Sequence, residues 1–134
     1  MPVRRSETLE VRSSGDVVTA RQTVRVWCID VGFSLVDQTK MVTAASELAR
    51  NTIDYGGGGT LRLDSLDEGS RRGLRLTFED TGPGIPDVQR ALQDGFTSGS
   101  GLGLGLGGAR RLVNEFDISS KVGEGTRVVI TRWK

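Results

Sequence analysis

The sequence predicts an α+β protein, a two-layer α/β sandwich with three main helices on one face of a mostly antiparallel sheet. Two observations carry that prediction. Two stretches of helical apolar periodicity stand back to back in the first half, at residues 15–31 and 35–53. The strand-like runs come in pairs separated by short polar turns, which makes hairpins and not parallel crossovers. With 134 residues the chain is expected to form one domain over residues 1–134, enough to bury a two-layer core.

The elements follow in order. Glu7 to Arg12 reads as a short strand. From Gly15, the residues Val17, Val24, Trp27, Cys28 and Val31 recur at helical spacing, with Asp16 near the start and Gly32-Phe33 closing the helix. A second helix is expected from Leu35 to Ile53, with Met41, Ala45, Leu48 and Thr52 along one side. The glycine run after Tyr55 stops it. Leu61 to Leu66 and Leu74 to Glu79 form a hairpin around a polar turn at residues 67–73. Leu74, Leu76 and Phe78 share one face of their strand, and alternation puts Asp80 on that same face, where a carboxylate is out of place. Ala109, Leu112, Val113 and Phe116 mark a third helix. Ile118 to Val122 and Thr126 to Arg132 form a last hairpin, turning at Gly123-Glu124-Gly125.

Composition removes several function classes. A formal net charge of +1 provides no field that would draw the chain to nucleic acid or to an anionic membrane, so neither is an expected partner. No apolar run approaches the length of a membrane span. The N-terminal arginines are not followed by an apolar stretch, so no signal peptide is expected. One cysteine precludes an internal disulfide and suits a reducing cytoplasm, the expected location. The absence of histidine rules out a Ser-His triad, a phosphohistidine and an imidazole metal ligand. Any general base must then be a carboxylate.

Four constellations bear chemistry. In SELARN, Glu47 and Asn51 are one helical turn apart and share a face. A carboxylate beside a carboxamide can orient a hydroxyl and offer oxygen to a hard metal, although the same pair also suits a solvated polar stripe. In EDTGPGI, Asp80 ends a strand on its core side and is followed by Gly82 and Gly84. A buried carboxylate needs a donor, which a ligand amino group or the local turn N–H groups can supply. In GFTSGSGLGLGLGGARRL, residues 95–112, a glycine-rich loop runs into a helix and offers unpaired N–H groups suited to a polyphosphate. This stretch lacks the Gly-Lys-Ser/Thr ending of a P-loop. Gly103, Gly105 and Gly108 fit G-x-G-x-x-G, but no buried strand precedes them, so a dinucleotide fold is rejected. In GEGT, Thr126 shares parity with Val128 and Ile130, which turns its hydroxyl inward toward the layer of Asp80.

Taken in order, these four motifs resemble the GHKL ATP-binding superfamily, whose fold is the Bergerat fold, over residues 43–131. Without a phosphoacceptor histidine, the chain is similar to the serine kinases of bacterial partner-switching systems. SELARN, EDTGPGI, QDGFTSGSGLGLGL, RLVNEF, VGEGT and the terminal TRWK resemble the RsbT-like switch kinases of the stressosome. The resemblance implies ATP and Mg²⁺ as cofactors, with Asn51 as metal ligand and Glu47 taking or positioning the proton of the acceptor hydroxyl. It implies that Asp80 accepts from the adenine amino group and that Gly82 and Gly84 line the base pocket. Gly101, Gly103 and Gly105 would present N–H groups to phosphate, and Thr126 would complete the adenine hydrogen bonds. The implied acceptor is a serine or threonine on a STAS-domain antagonist within a scaffold complex, and the implied downstream partner is a PP2C-type phosphatase. An anti-sigma factor kinase and a non-catalytic ATP-binding adaptor are the alternatives. One departure stands out: residues 95–108 contain no Lys or Arg, so phosphate charge is expected to be met by Mg²⁺ and backbone N–H groups, with Arg110 or Arg111 as the candidate cations nearby.

Overall fold

The computed structural model describes residues 3–92 and 105–134. Five strands, β1 (Val3–Val11), β2 (Gly59–Glu68), β3 (Arg71–Asp80), β4 (Glu115–Lys121) and β5 (Gly125–Trp133), form one sheet in the order β1-β2-β3-β5-β4. Every neighbouring pair is antiparallel. Helices α1 (Ser14–Val31) and α2 (Leu35–Asp54) pack on one face, joined there by α3 (Val88–Ala91) and α4 (Gly105–Arg111). The α+β sandwich read from the sequence is the fold observed.

Local chemistry sets the helix limits. Ser13 caps α1 by accepting from the Asp16 N–H, while the Asp16 carboxylate accepts from the Ser13 N–H, closing a capping box. At the other end Gly32 takes φ 98°, and Phe33 N–H donates to the Cys28 carbonyl at 3.0 Å. Ser34 then caps α2 directly. This tight turn holds α1 and α2 side by side, so both apolar faces meet the sheet.

The core lies between the two layers. Val24, Trp27 and Val31 from α1 and Met41, Ala45 and Leu48 from α2 are buried against Leu61, Leu63, Leu74, Leu76, Phe78 and Ile130. Each large apolar side chain so buried contributes about 1.5–3 kcal/mol. Cys28 belongs to this core, and burial pushes its thiol up to about 12, so the thiolate needed for reactivity does not form at neutral pH.

Three sequence expectations need correction. The first three strands are longer than expected, because their polar flanks continue the ladder: β1 begins at Val3, and the β2–β3 turn shrinks to Gly69-Ser70. The third helix stops at Arg111, and Phe116 belongs to β4, where it pairs with Ile130. Phe116 is four residues beyond Leu112, so strand parity there imitates helical spacing. The last turn keeps its length but shifts back by one residue, to 122–124, since Gly125 already pairs with Lys121.

The sheet face away from the helices has its own polar centre. Asp64 is 1% exposed, held by Ser6 Oγ, by Arg62 Nε at 3.1 Å and by Arg75 Nη2 at 3.3 Å. Burial alone would raise its pKa, but the bonds from Ser6 and Arg62 and the charges of Arg62 and Arg75 outweigh burial and lower it. A lowered folded-state value means that this stabilisation is complete above the ordinary carboxylate range and is lost as pH falls through the folded value. Asp64→Asn is expected to cost about 2 kcal/mol at neutral pH. Urea unfolding from pH 7 to pH 3 should show the gap between the two proteins closing as pH falls; a constant gap would contradict the assignment.

Candidate functional site

Where β3 ends and β5 begins, a cavity of about 450 Å³ opens between the sheet, α2, and the segment carrying α3. Its size is in the range of small-molecule pockets. Leu48, Thr52, Phe78 and Val128 give apolar walls, continuing the core surface to the opening. Asn51, Asp80 and Thr126 bring polar groups to it from three different elements. A flat, largely apolar ligand with a few hydrogen-bonding edges suits these walls.

Each polar group is fixed by the fold. Asp80 is half-buried at the end of β3 and is paired across the ladder with Thr126 of β5 and Gly59 of β2. Its Oδ1 accepts from the Gly82 N–H at 2.9 Å, so the local-turn role and the cavity position belong to the same residue. Gly56 lies against the carboxylate: a Cβ there would come within 2.3 Å of Asp80 Cγ. Thr126 Oγ1 is 2.8 Å from Ser120 Oγ, which also accepts from the Ile85 N–H at 2.7 Å. This network ties β4, β5 and the loop after β3 into one wall.

The sequence-derived candidates separate into groups. Asn51, Asp80, Gly84, Gly105 and Thr126 all line the cavity. Glu47 is buried one turn before Asn51 on α2, with 4% exposure. Gly82 packs differently, because its α-carbon faces the backbone of Gly56, where a Cβ would sit 2.6 Å from the Gly56 α-carbon. Gly82 thereby brings two loops together, while Gly84, at φ 79°, forms the wall itself. Gly101 and Gly103 lie outside the described residues.

The structure adds residues that pattern reading did not single out. Arg90 stands in the cavity wall, carried by α3, with Asp87 capping that helix. Arg110 and Arg111 do not line the cavity. They sit in the last turn of α4, whereas its first residue Gly105 faces the site, about 8 Å away along the axis. Ser120 was legible in principle, since it lies opposite Thr126 in the final hairpin. Gly56 was visible only as part of a helix stop. Among the described residues no three His, Cys, Asp or Glu side chains cluster as a metal cage. Asn51 alone could offer an amide oxygen, which fits a Mg²⁺ ion held mainly by phosphate and water.

Fold and cavity together define an α/β sandwich with a pocket of small-molecule size at one end of its sheet. A family model described as Histidine kinase-, DNA gyrase B-, and HSP90-like ATPase matches residues 36–134, and the chain belongs to that family. An ATP-binding function follows from that membership. The chain is 41% identical over 125 residues to the serine/threonine-protein kinase RsbT of Bacillus subtilis, covering 93% of this chain and 94% of that one. This relationship makes it an enzyme of the serine/threonine-protein kinase kind. It is also 32% identical over 120 residues to an anti-sigma F factor of Anoxybacillus flavithermus, covering 84% and 81% of the two chains. Among solved structures, the RsbU and RsbW domains of a Mycobacterium tuberculosis protein superpose with a TM-score of 0.65 at 21% identity, over 96% of this chain and 32% of that one. No helix among the described residues is long and apolar enough to cross a membrane.

A direct consequence concerns Gly56. Gly56→Ala would drive a methyl group into the Asp80 carboxylate, costing about 1–3 kcal/mol of stability. ATP affinity, measured by calorimetry, is expected to fall by about tenfold or more; unchanged affinity would remove Asp80 from the ligand contact.

Proposed function

We propose that the chain is a Mg²⁺-dependent kinase of a bacterial partner-switching system that phosphorylates a serine or threonine on a STAS-domain antagonist protein. The observation that carries this reading is the convergence of Asn51, Asp80 and Thr126 on one cavity, with Glu47 a helical turn from Asn51. Bound ATP supplies the phosphoryl group, and Mg²⁺ held at Asn51 and the phosphates neutralises the charge that develops on transfer.

The chain's own residues do the rest. Asp80 accepts a hydrogen bond from the adenine amino group and so prefers adenine to guanine. Thr126 adds a second hydrogen bond at the base edge, directly or through water, and Gly84 allows the backbone to lie close to the ring plane. The N–H groups of Gly101, Gly103 and Gly105 bind phosphate oxygens. Arg90 adds the cation that residues 95–108 lack. Glu47 takes the proton from the acceptor hydroxyl, or holds that hydroxyl in line; with no histidine in the chain, a carboxylate is the suitable base. Phosphorylation of the antagonist then frees the kinase from its scaffold complex to bind and activate a PP2C-type phosphatase.

A second reading is favoured by the Anoxybacillus relative, whose name is anti-sigma F factor. Here the chain sequesters a sigma factor and phosphorylates its antagonist. Pull-down with a sigma factor against pull-down with a phosphatase linker domain separates the two.

The catalytic assignment is tested with labelled ATP, Mg²⁺ and a STAS-domain antagonist protein from the same organism. Glu47→Gln is expected to lower transfer by about a hundredfold or more while ATP affinity stays within about twofold. Asp80→Asn is expected to weaken ATP binding itself. Transfer by Glu47→Gln at the wild-type rate would remove Glu47 from the chemistry. A stable complex with the STAS protein but no transfer by the wild-type chain would favour the non-catalytic adaptor.

A further inference from the structure

A second polar cavity, of about 240 Å³, lies at the opposite end of the sheet. It is bounded by Arg4 and Arg5 from β1, Ser65 from β2, Arg72 from β3, and Trp27 and Asp30 from α1. Arg72 and Asp80 are eight residues apart on one strand, which places this cavity about 26 Å from the nucleotide site. It therefore does not receive phosphate directly from a nucleotide in that site.

The charge here is unusual. Three guanidinium groups face one carboxylate, a surplus of +2 (three minus one) in a chain whose total is +1. Arg5 is engaged on both sides: its guanidinium lies 3.8 Å over the Trp27 ring, and Nη1 is 3.3 Å from Asp30 Oδ2. Arg5 therefore already has partners in the free protein. Among the described residues Arg4 and Arg72 have no ion-pair partner, and the Arg72 Nε is buried without any hydrogen-bond partner. A buried guanidinium N–H left without an acceptor costs about 1–3 kcal/mol, so the site is incomplete as it stands.

We propose that this cavity is a phosphate-binding site, specific for a dianion. A phosphate group carries about −1.5 to −2 charge at neutral pH, which matches the surplus, and its oxygens suit the planar forks of Arg4 and Arg72 with Ser65 Oγ as a further donor. A carboxylate neutralises half the surplus and brings too few oxygens for both forks. The phosphate can arrive free in solution or on a phosphorylated side chain of another protein. In either case the site reads phosphate far from the catalytic cavity, and it does not depend on the kinase assignment.

The test is ¹H–¹⁵N NMR on the whole chain, following the Trp27 indole and the Ser65 and Arg72 amides. Inorganic phosphate, a phosphoserine hexapeptide, its unphosphorylated counterpart and acetate are titrated separately, up to about 20 mM. Saturable shifts at these three residues with phosphate support a free-phosphate site; shifts with the phosphopeptide alone support a phosphorylated side chain. Arg4→Gln combined with Arg72→Gln should weaken that binding by about tenfold or more, while the Cys28 and Val24 amides report an intact core. The proposal is overturned if neither phosphate probe moves these residues, or if acetate or the unphosphorylated peptide binds as well. Equal affinity in the double variant would overturn it too.

Discussion

Everything at the nucleotide end of the molecule depends on how closely other backbone approaches the end of β3. Gly125, at φ 113°, lies so near that a Cβ would be 2.1 Å from the Asp80 carbonyl oxygen. From the other side, a Cβ at Gly59 would be 1.9 Å from the Glu79 carbonyl oxygen. Only chain without side chains fits on either flank. The result is a strand end closely packed by backbone on both flanks, with Asp80 at the mouth of the cavity opposite Thr126. Direction is what such a site needs, because a carboxylate that reads one amino group gains selectivity only if it is held in place.

This constraint explains why the sequence was partly legible. Alternation along Leu74, Leu76 and Phe78 was enough to place Asp80 inward, and the same parity placed Thr126, because strand geometry is periodic and buried faces enforce it. Helix periodicity likewise put Glu47 above Asn51. Gly56 and Arg90 could not be found in that way. Gly56 matters through a contact made in space between the end of α2 and the end of β3, and a run of glycines carries no mark of which one makes it. Arg90 lies on a four-residue helix, too short to show any period. Phe116 was misread for the opposite reason: its neighbours fit two periods at once, and pairing with β5 decided between them.

The two ends of the sheet divide the labour. At one end, glycines and small polar side chains let backbone crowd around an open, mostly apolar cavity. At the other, arginines from β1 and β3, Ser65 of β2 and the last turns of α1 line a small polar one. Between them lies the apolar layer, with the Asp64 network on the outer face locking β1, β2 and β3 together. Neither cavity borrows residues from the other. A change at one end can therefore be read without disturbing the chemistry of the other.

The central claim is that Asp80, fixed by the crowded end of β3, makes the cavity an adenine site. Calorimetric titration of the whole chain with ADP and with GDP, each with Mg²⁺, tests it most directly. GDP presents a carbonyl where adenine presents its amino group, so the Asp80 carboxylate would face an acceptor. The account predicts that ADP binds at least about a hundredfold more tightly than GDP. Equal affinity for the two nucleotides would contradict it.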